Sequence, residues 1–196
     1  MFTDYVRQWS QVIVNPMARF IGWTGATPNI ITLVGFGLTS GVAILVARGD
    51  IQLAGFLLIP AAVLDAIDGT LARMFNQTSR FGAFLDSTMD RFSEAVLILG
   101  ALVYFQGEGA RTQVILCYVA IVGSLMVSYT RARAQGIGVE VKEGLLTRVE
   151  RALIMIAALV FNELTPALWV LALLTNFTVL QRIWKVWRST RAGADR

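Results

Sequence analysis

Four aspartates stand as two closely spaced pairs in otherwise apolar stretches of the chain. Asp65 and Asp68 are three residues apart, and Asp86 and Asp90 are four apart. Residues at these spacings lie on one face of a helix, so each pair directs two carboxylates the same way. An aspartate at the centre of a membrane helix costs about 2.5–3.5 kcal/mol on insertion scales. The pairs therefore require a compensating positive charge.

Together, the four aspartates predict a site for hard divalent cations. The short connection at about residues 74–81 makes the two helices that carry them antiparallel neighbours, with both pairs at one membrane level. Oxygen ligands without histidine or cysteine favour Mg²⁺ or Mn²⁺, and four negative charges suit two ions better than one. The alternative is that the acids form salt bridges between helices with Arg73, Arg80 and Arg91.

The scarcity of two residue types excludes several classes of enzyme. The chain has no histidine and one cysteine, which excludes histidine-based acid–base catalysis, Ser-His-Asp triads, internal disulfides and cysteine metal sites. The apolar neighbours of Cys117 indicate a buried, unreactive thiol. The excess of 17 Lys and Arg over 13 Asp and Glu indicates anionic lipid or phosphorylated ligands and no nucleic acid.

The composition indicates an all-α integral membrane protein. Of the 196 residues, 56% are hydrophobic and 15% are charged, and the mean hydropathy is +0.63. Because a bilayer core requires about 20 apolar residues per helix, we predict six transmembrane helices. They cover approximately residues 28–47, 51–73, 81–105, 112–133, 145–162 and 165–187. Residues 25–190 then form one transmembrane domain.

The two ends of the chain are predicted to lie in the cytoplasm. Residues 4–23 alternate apolar and polar side chains, which is typical of an amphipathic interfacial helix, and we assign residues 1–24 to it. Most basic residues fall on one side of the predicted bundle, with Arg48 and Arg111 on the other. The positive-inside rule therefore places both termini, the tail 191–196 and the aspartates on the cytoplasmic side of the cell membrane.

Residues 65–90 read Asp-x2-Asp-Gly-x2-Ala-Arg-x8-Gly-x3-Asp-x3-Asp. At all eight fixed positions this pattern resembles the signature of the CDP-alcohol phosphotransferase family of integral membrane enzymes. The predicted six-span layout agrees with that family over nearly the whole chain. The small residues Gly69, Ala72 and Gly82 allow a ligand or another backbone to approach the aspartates.

The resemblance implies a role for each residue of the signature. Asp65 and Asp86 would bridge two metal ions, and Asp68 would complete the first site. Asp90 would serve the second ion and act as the general base. The residues implied to bind the CDP-diacylglycerol donor are Asn29, Thr32, Gly69, Arg73 and Ser79. The resemblance also implies a homodimer.

Arginines at the ends of the last three predicted helices indicate an acceptor that carries a phosphate. If the bundle brings these ends together around the aspartates, several guanidiniums face one cavity, which an unphosphorylated alcohol would not require. The second half of the chain is similar to family members that use inositol 1-phosphate. The residues at the matching phosphate-binding positions are Arg131, Arg148 or Arg151, and Arg182.

We therefore predict transfer of the phosphatidyl group from CDP-diacylglycerol to a phosphorylated polyol, with inositol 1-phosphate as the favoured acceptor. The products would be phosphatidylinositol phosphate and CMP. Glycerol 3-phosphate is the alternative acceptor. An ion-coupled transporter is an alternative of a different class, but it predicts acids distributed over several helices and through the membrane depth.

Overall fold

A computed structural model describes residues 14–23, 25–141 and 144–194, and all regular structure in this part of the chain is helical. The predicted all-α class is therefore confirmed. We label the helical residues 14–23 as α1. The helices that follow are α2 (Pro28–Arg48), α3 (Ile51–Met74), α4 (Arg80–Gly107), α5 (Arg111–Gly136), α6 (Arg148–Val160) and α7 (Leu164–Ala194). The predictions for residues 1–13, 24, 142–143 and 195–196 lie outside the described residues.

Four of the described helices are long and apolar enough to cross a membrane. They are Pro28–Arg48, Ile51–Met74, Arg111–Gly136 and Leu164–Arg191, and they coincide with the first, second, fourth and sixth predicted spans. The other two predicted spans do not meet this description. Helix α4 is long enough but carries two of the aspartates, Arg91 and Glu94. Helix α6 has 13 residues, or about 20 Å of helix, whereas a bilayer core is about 30 Å thick.

Helix α2 packs against both of the helices that carry the aspartates. It packs extensively on both α3 and α4, which have little direct contact with each other. The predicted packing of α3 against α4 is therefore limited to a few contacts, but the predicted meeting of their carboxylates is seen for Asp65, Asp68 and Asp86. The loop 75–79 can extend about 17 Å, so two helices that follow one another in the sequence need not touch. The remaining extensive contacts join α4 to α5, α5 to α7 and α3 to α6.

The main hydrophobic core lies in the half of the bundle remote from the aspartates. Ile98 and Cys117 are fully buried there, so the predicted burial of the cysteine is confirmed. A second apolar cluster joins Val14 and Ala18 of α1 to Ile67 of α3. Helix α1 therefore rests on α3 beside the first aspartate pair.

Helix α6 begins at the level of the aspartates. Gln52 of α3 donates a hydrogen bond to the Val160 carbonyl at 3.3 Å, and Arg148 donates one to Asp65 at 2.6 Å. On α3 the two contacts are 13 residues apart, which is about 20 Å of helix. On α6 they are 12 residues apart, which is about 18 Å. The two helices thus run antiparallel over the same length. The span predicted at residues 145–162 is shorter than expected because its helix starts inside the bundle.

Gly100 lets α4 approach α2 closely. A Cβ at Gly100 would collide with the backbone carbonyl of Ala43, which can move only if α2 moves. We expect Gly100→Ala to lower the free energy of unfolding by about 1–3 kcal/mol, measured by thermal unfolding of the purified protein in detergent. The control is Gly37→Ala, because a Cβ at Gly37 meets nothing within 4 Å. Equal stability of the two variants would contradict the close packing.

Candidate active site

Three of the four predicted metal ligands come together at one end of the bundle. Asp65 and Asp68 of α3 and Asp86 of α4 each place a carboxylate oxygen within 4.8 Å of the others. Asp68 is buried, and the other two are partly exposed. Grouped carboxylates repel one another, and an all-oxygen donor set suits a hard cation. The residues present therefore fit a divalent metal ion.

Helix α2 contributes a hydroxyl that orients one of these carboxylates. Thr32 Oγ1 lies 2.7 Å from Asp68 Oδ2 and donates a hydrogen bond to it. The other carboxylate oxygen, Oδ1, accepts a hydrogen bond from the Gly69 backbone N–H at 2.5 Å. Both oxygens of Asp68 are thus held by neighbouring donors, which limits the directions in which this side chain can coordinate an ion.

A cavity of about 200 Å³ opens beside the carboxylates. Its lining includes Asp68, Asp86 and all five residues implied to bind the donor, which are Asn29, Thr32, Gly69, Arg73 and Ser79. Gln77 and Thr78 of the α3–α4 loop also line it, although the sequence analysis did not single them out. The structure therefore brings the predicted donor residues to one cavity next to the predicted metal ligands.

Gly82 allows polar atoms of two helices to meet at this cavity. Ser79 caps the start of α4, where its Oγ accepts a hydrogen bond from the Gly82 N–H at 2.9 Å. A Cβ on Gly82 would lie 2.9 Å from that Oγ and 3.1 Å from Asn29 Oδ1. The absence of a side chain at this position therefore keeps both polar groups open to a ligand.

The direction of the helices adds positive potential at the same end of the molecule. The cavity lining includes residues from the first turns of α2 and α4, and α6 begins at the aspartates. The amino terminus of a helix carries a partial positive charge and unpaired N–H groups that favour anions. This contribution could be recognised only once the topology was known.

The fourth aspartate pairs with an arginine and lies outside the three-carboxylate cluster. Asp90 is 7% exposed, and Arg148 Nη2 lies 2.7 Å from its Oδ1 and 2.6 Å from Asp65 Oδ2. Arg148, predicted for the acceptor phosphate, thus contacts two acids. Among the alternative salt-bridge partners, Arg91 lies 3.6 Å from Asp90, but it follows Asp90 on α4 and joins no second helix.

The other predicted acceptor residues lie on α5, α6 and α7. Arg151 and Arg182 are buried, and Arg131 is exposed. Arg182 donates a hydrogen bond to the Val127 carbonyl and lies within electrostatic range of Arg131 and Arg151. Arg151 pairs with Glu94, a residue that the sequence analysis did not assign. The sequence signal that could have identified Glu94 is its position one helical turn after Asp90, on the same face of α4.

Comparisons with known proteins agree over nearly the whole chain. A family model for CDP-alcohol phosphatidyltransferase matches residues 25–183. The phosphatidylinositol phosphate synthase of Streptomyces avermitilis is 33% identical, and the alignment covers 100% of this chain and 86% of that protein.

Two crystal structures of the phosphatidylinositol phosphate synthase of Mycobacterium tuberculosis are also similar. Each is 29% identical and covers 89% of this chain. The structure with CDP-DAG bound has a TM-score of 0.83 and is covered to 94% of its length. The structure in complex with manganese and citrate has a TM-score of 0.84 and is covered to 88%.

The hydrogen bond from Thr32 to Asp68 predicts a measurable effect on metal binding. We expect Thr32→Val, which keeps the shape but removes the hydroxyl, to weaken Mn²⁺ binding about tenfold, measured by electron paramagnetic resonance titration of the purified protein. Thr39→Val is the matched control, because Thr39 is a buried residue of the same helix and donates to the Gly35 carbonyl. Unchanged Mn²⁺ affinity in Thr32→Val would refute the role given to this hydroxyl.

Proposed function

The chain belongs to the CDP-alcohol phosphatidyltransferase family, and on this basis we propose that it transfers the phosphatidyl group of CDP-diacylglycerol to inositol 1-phosphate. The observation that carries the proposal is the cluster of Asp65, Asp68 and Asp86 beside the cavity described above. A structurally similar synthase binds CDP-DAG. Relatives that make phosphatidylinositol phosphate support the choice of acceptor.

We assign the metal site to the three clustered aspartates, with Asp90 as a ligand of a second ion. Two divalent cations, Mg²⁺ or Mn²⁺, would neutralise the diphosphate charge at the reacting phosphorus. The all-oxygen donor set and the manganese complex of a similar synthase support this assignment.

The donor cavity holds the diphosphate of CDP-diacylglycerol. Arg73 lines this cavity on an exposed stretch of α3, where its guanidinium can form charge-assisted hydrogen bonds to phosphate oxygens. The amino termini of α2 and α4 supply further favourable potential. Asn29 and Ser79 offer polar atoms for the nucleotide, and Gly69 leaves room for the donor beside Asp68.

In the reaction, the acceptor hydroxyl oxygen forms a bond to the phosphatidyl phosphorus while the bond from that phosphorus to CMP breaks. The hydroxyl proton passes to the carboxylate of Asp90, and CMP leaves with the electron pair. Asp90 Oδ1 contacts Arg148 Nη2 at 2.7 Å without the geometry of a hydrogen bond, and a carboxylate oxygen is able to accept this proton. Proton removal by a positioned carboxylate is general base catalysis.

The acceptor phosphate is bound by the arginines that gather near Asp90. Arg182 and Arg151 are 4% and 3% exposed, and guanidiniums buried near one another repel. An anionic phosphate offsets this repulsion through charge-assisted hydrogen bonds. Arg131 is the exposed member of this group, and Arg148 contacts both Asp65 and Asp90. Free inositol carries no anionic group that could accept these charge-assisted hydrogen bonds.

The membrane arrangement is part of the proposal. We place six spans in residues 25–190, an interfacial helix at 1–24 and a cytoplasmic tail at 191–196, with both termini and the site on the cytoplasmic side. Helix α4 would direct its charges into the bundle, and α6 would reach from the far side to the aspartates. Irregular backbone at this depth must be satisfied within the protein, and at 144–147 the Leu146 N–H and carbonyl are bonded to Thr178 and Arg151. The family resemblance supports a homodimer.

Acceptor selectivity tests the proposal directly. Purified protein with labelled CDP-diacylglycerol and Mn²⁺ should release CMP with inositol 1-phosphate more than about a hundredfold faster than with free inositol. EDTA should abolish this release. Thin-layer chromatography identifies the lipid product. A preference for glycerol 3-phosphate would replace the acceptor in the proposal, and metal-independent release would contradict the mechanism.

Replacing the proposed base separates chemistry from binding. Asp90→Asn should lower kcat by about 10²–10⁴-fold, measured by CMP release at saturating Mn²⁺ and saturating CDP-diacylglycerol, so that weaker binding of the second ion does not limit the rate. Asp50→Asn, at the start of α3 and the opposite end of that helix, should retain wild-type rates. Turnover by Asp90→Asn at the wild-type rate would exclude Asp90 as the base.

A further inference from the structure

A buried ion pair joins α4 to α6 outside the metal cluster. The side chain of Arg151 is 3% exposed and that of Glu94 is 17% exposed. Arg151 Nε donates to Glu94 Oε1 at 2.5 Å, and Nη2 donates to Oε2 at 2.8 Å. Two parallel hydrogen bonds of this kind determine both the position and the plane of a guanidinium.

A third hydrogen bond ties Arg151 to the segment before α6. Its Nη1 donates to the Leu146 carbonyl at 3.3 Å, and the Leu146 N–H donates to Thr178 of α7 at 3.4 Å. A guanidinium has five N–H groups. The three hydrogen bonds seen within the described part of the chain therefore leave two N–H groups of Arg151 for a ligand.

Glu94 continues the row of acids on α4. It follows Asp90 by one helical turn, and Arg151 follows Arg148 by three residues on α6. Two successive acid–arginine pairs thus connect these helices, whose backbones have little direct contact. The side chains themselves therefore determine how Arg151 is placed relative to Arg148 and the aspartates.

Other positively charged side chains lie near Arg151 and repel its guanidinium. It lies within electrostatic range of Arg91 and Arg182. Without a nearby carboxylate, repulsion and the cost of burial would favour rotation of this long side chain toward water. The Glu94 carboxylate offsets both effects and keeps the guanidinium in place.

We propose that Glu94 is a positioning residue for the acceptor site, acting through Arg151. Its paired hydrogen bonds occupy one edge of the guanidinium and direct the two remaining N–H groups toward the acceptor phosphate. The inference rests on the proposed function, since it takes that phosphate as the ligand of Arg151. Glu94 itself does not contact the substrate.

Steady-state kinetics of Glu94 variants test this role. Glu94→Gln keeps the size but offers Arg151 a single acceptor oxygen, so the KM for inositol 1-phosphate should rise about tenfold. The kcat and the KM for CDP-diacylglycerol should stay within about twofold. Glu94→Asp keeps the carboxylate and should recover part of the loss. The matched control is Glu108→Gln, an exposed position just beyond the far end of α4.

Thermal unfolding of the same variants separates positioning from support of the fold. A lower unfolding midpoint with an unchanged KM for the acceptor would show a purely structural pair, and a lower KM would show that Glu94 hinders phosphate binding. Either result overturns the inference. If Glu94→Gln does not fold, Glu94→Asp carries the test, with a raised KM expected and an unchanged KM overturning it.

The choice of acceptor keeps the two proposals distinguishable. If the wild-type protein uses glycerol 3-phosphate, the proposed acceptor is wrong, and the Glu94 inference is tested on the KM for glycerol 3-phosphate, whose phosphate would bind the same arginines. If neither inositol 1-phosphate nor glycerol 3-phosphate supports CMP release, both proposals are overturned.

Discussion

The grouping of carboxylates inside an apolar helical bundle is the constraint on which the rest of this structure depends. Asp65, Asp68 and Asp86 approach one another within 4.8 Å, and their repulsion is opposed by features from several helices. Thr32 and the Gly69 N–H donate to Asp68, Arg148 pairs with Asp65, and helix amino termini converge on the same end. Each of these features also suits an anionic substrate accompanied by divalent ions.

Helix α2 contributes to the shape of the site by packing on both α3 and α4. The first turns of this helix place Asn29 and Thr32 in the cavity wall, and Thr32 donates a hydrogen bond to Asp68. The apolar core lies in the other half of the bundle. The apolar packing therefore lies at one end of these helices and the proposed reaction site at the other. This arrangement allows the site end to remain polar and open.

The acids and arginines of α4 and α6 divide the site into two parts. Asp68 and Asp86 line the donor cavity, with Asp65 beside them, while the pairs Asp90–Arg148 and Glu94–Arg151 form a second row toward the arginines of α5 and α7. In the proposed reaction the donor diphosphate occupies the first part and the acceptor phosphate the second. Asp90 lies between them, where a base must accept the proton of the attacking hydroxyl.

The sequence by itself determined the helical class and the presence of closely spaced carboxylates suited to a hard cation, because these follow from hydropathy, residue type and fixed spacing along one helix. The residues proposed for the donor came from the family resemblance. Only the tertiary structure decided which charges meet. The packing of α2 on both α3 and α4 and the contact of Glu94 with Arg151 depend on the tertiary structure, and the contacts of α6 with α3 join residues up to 108 positions apart. No local periodicity encodes such pairings, since they depend on how whole helices pack against one another.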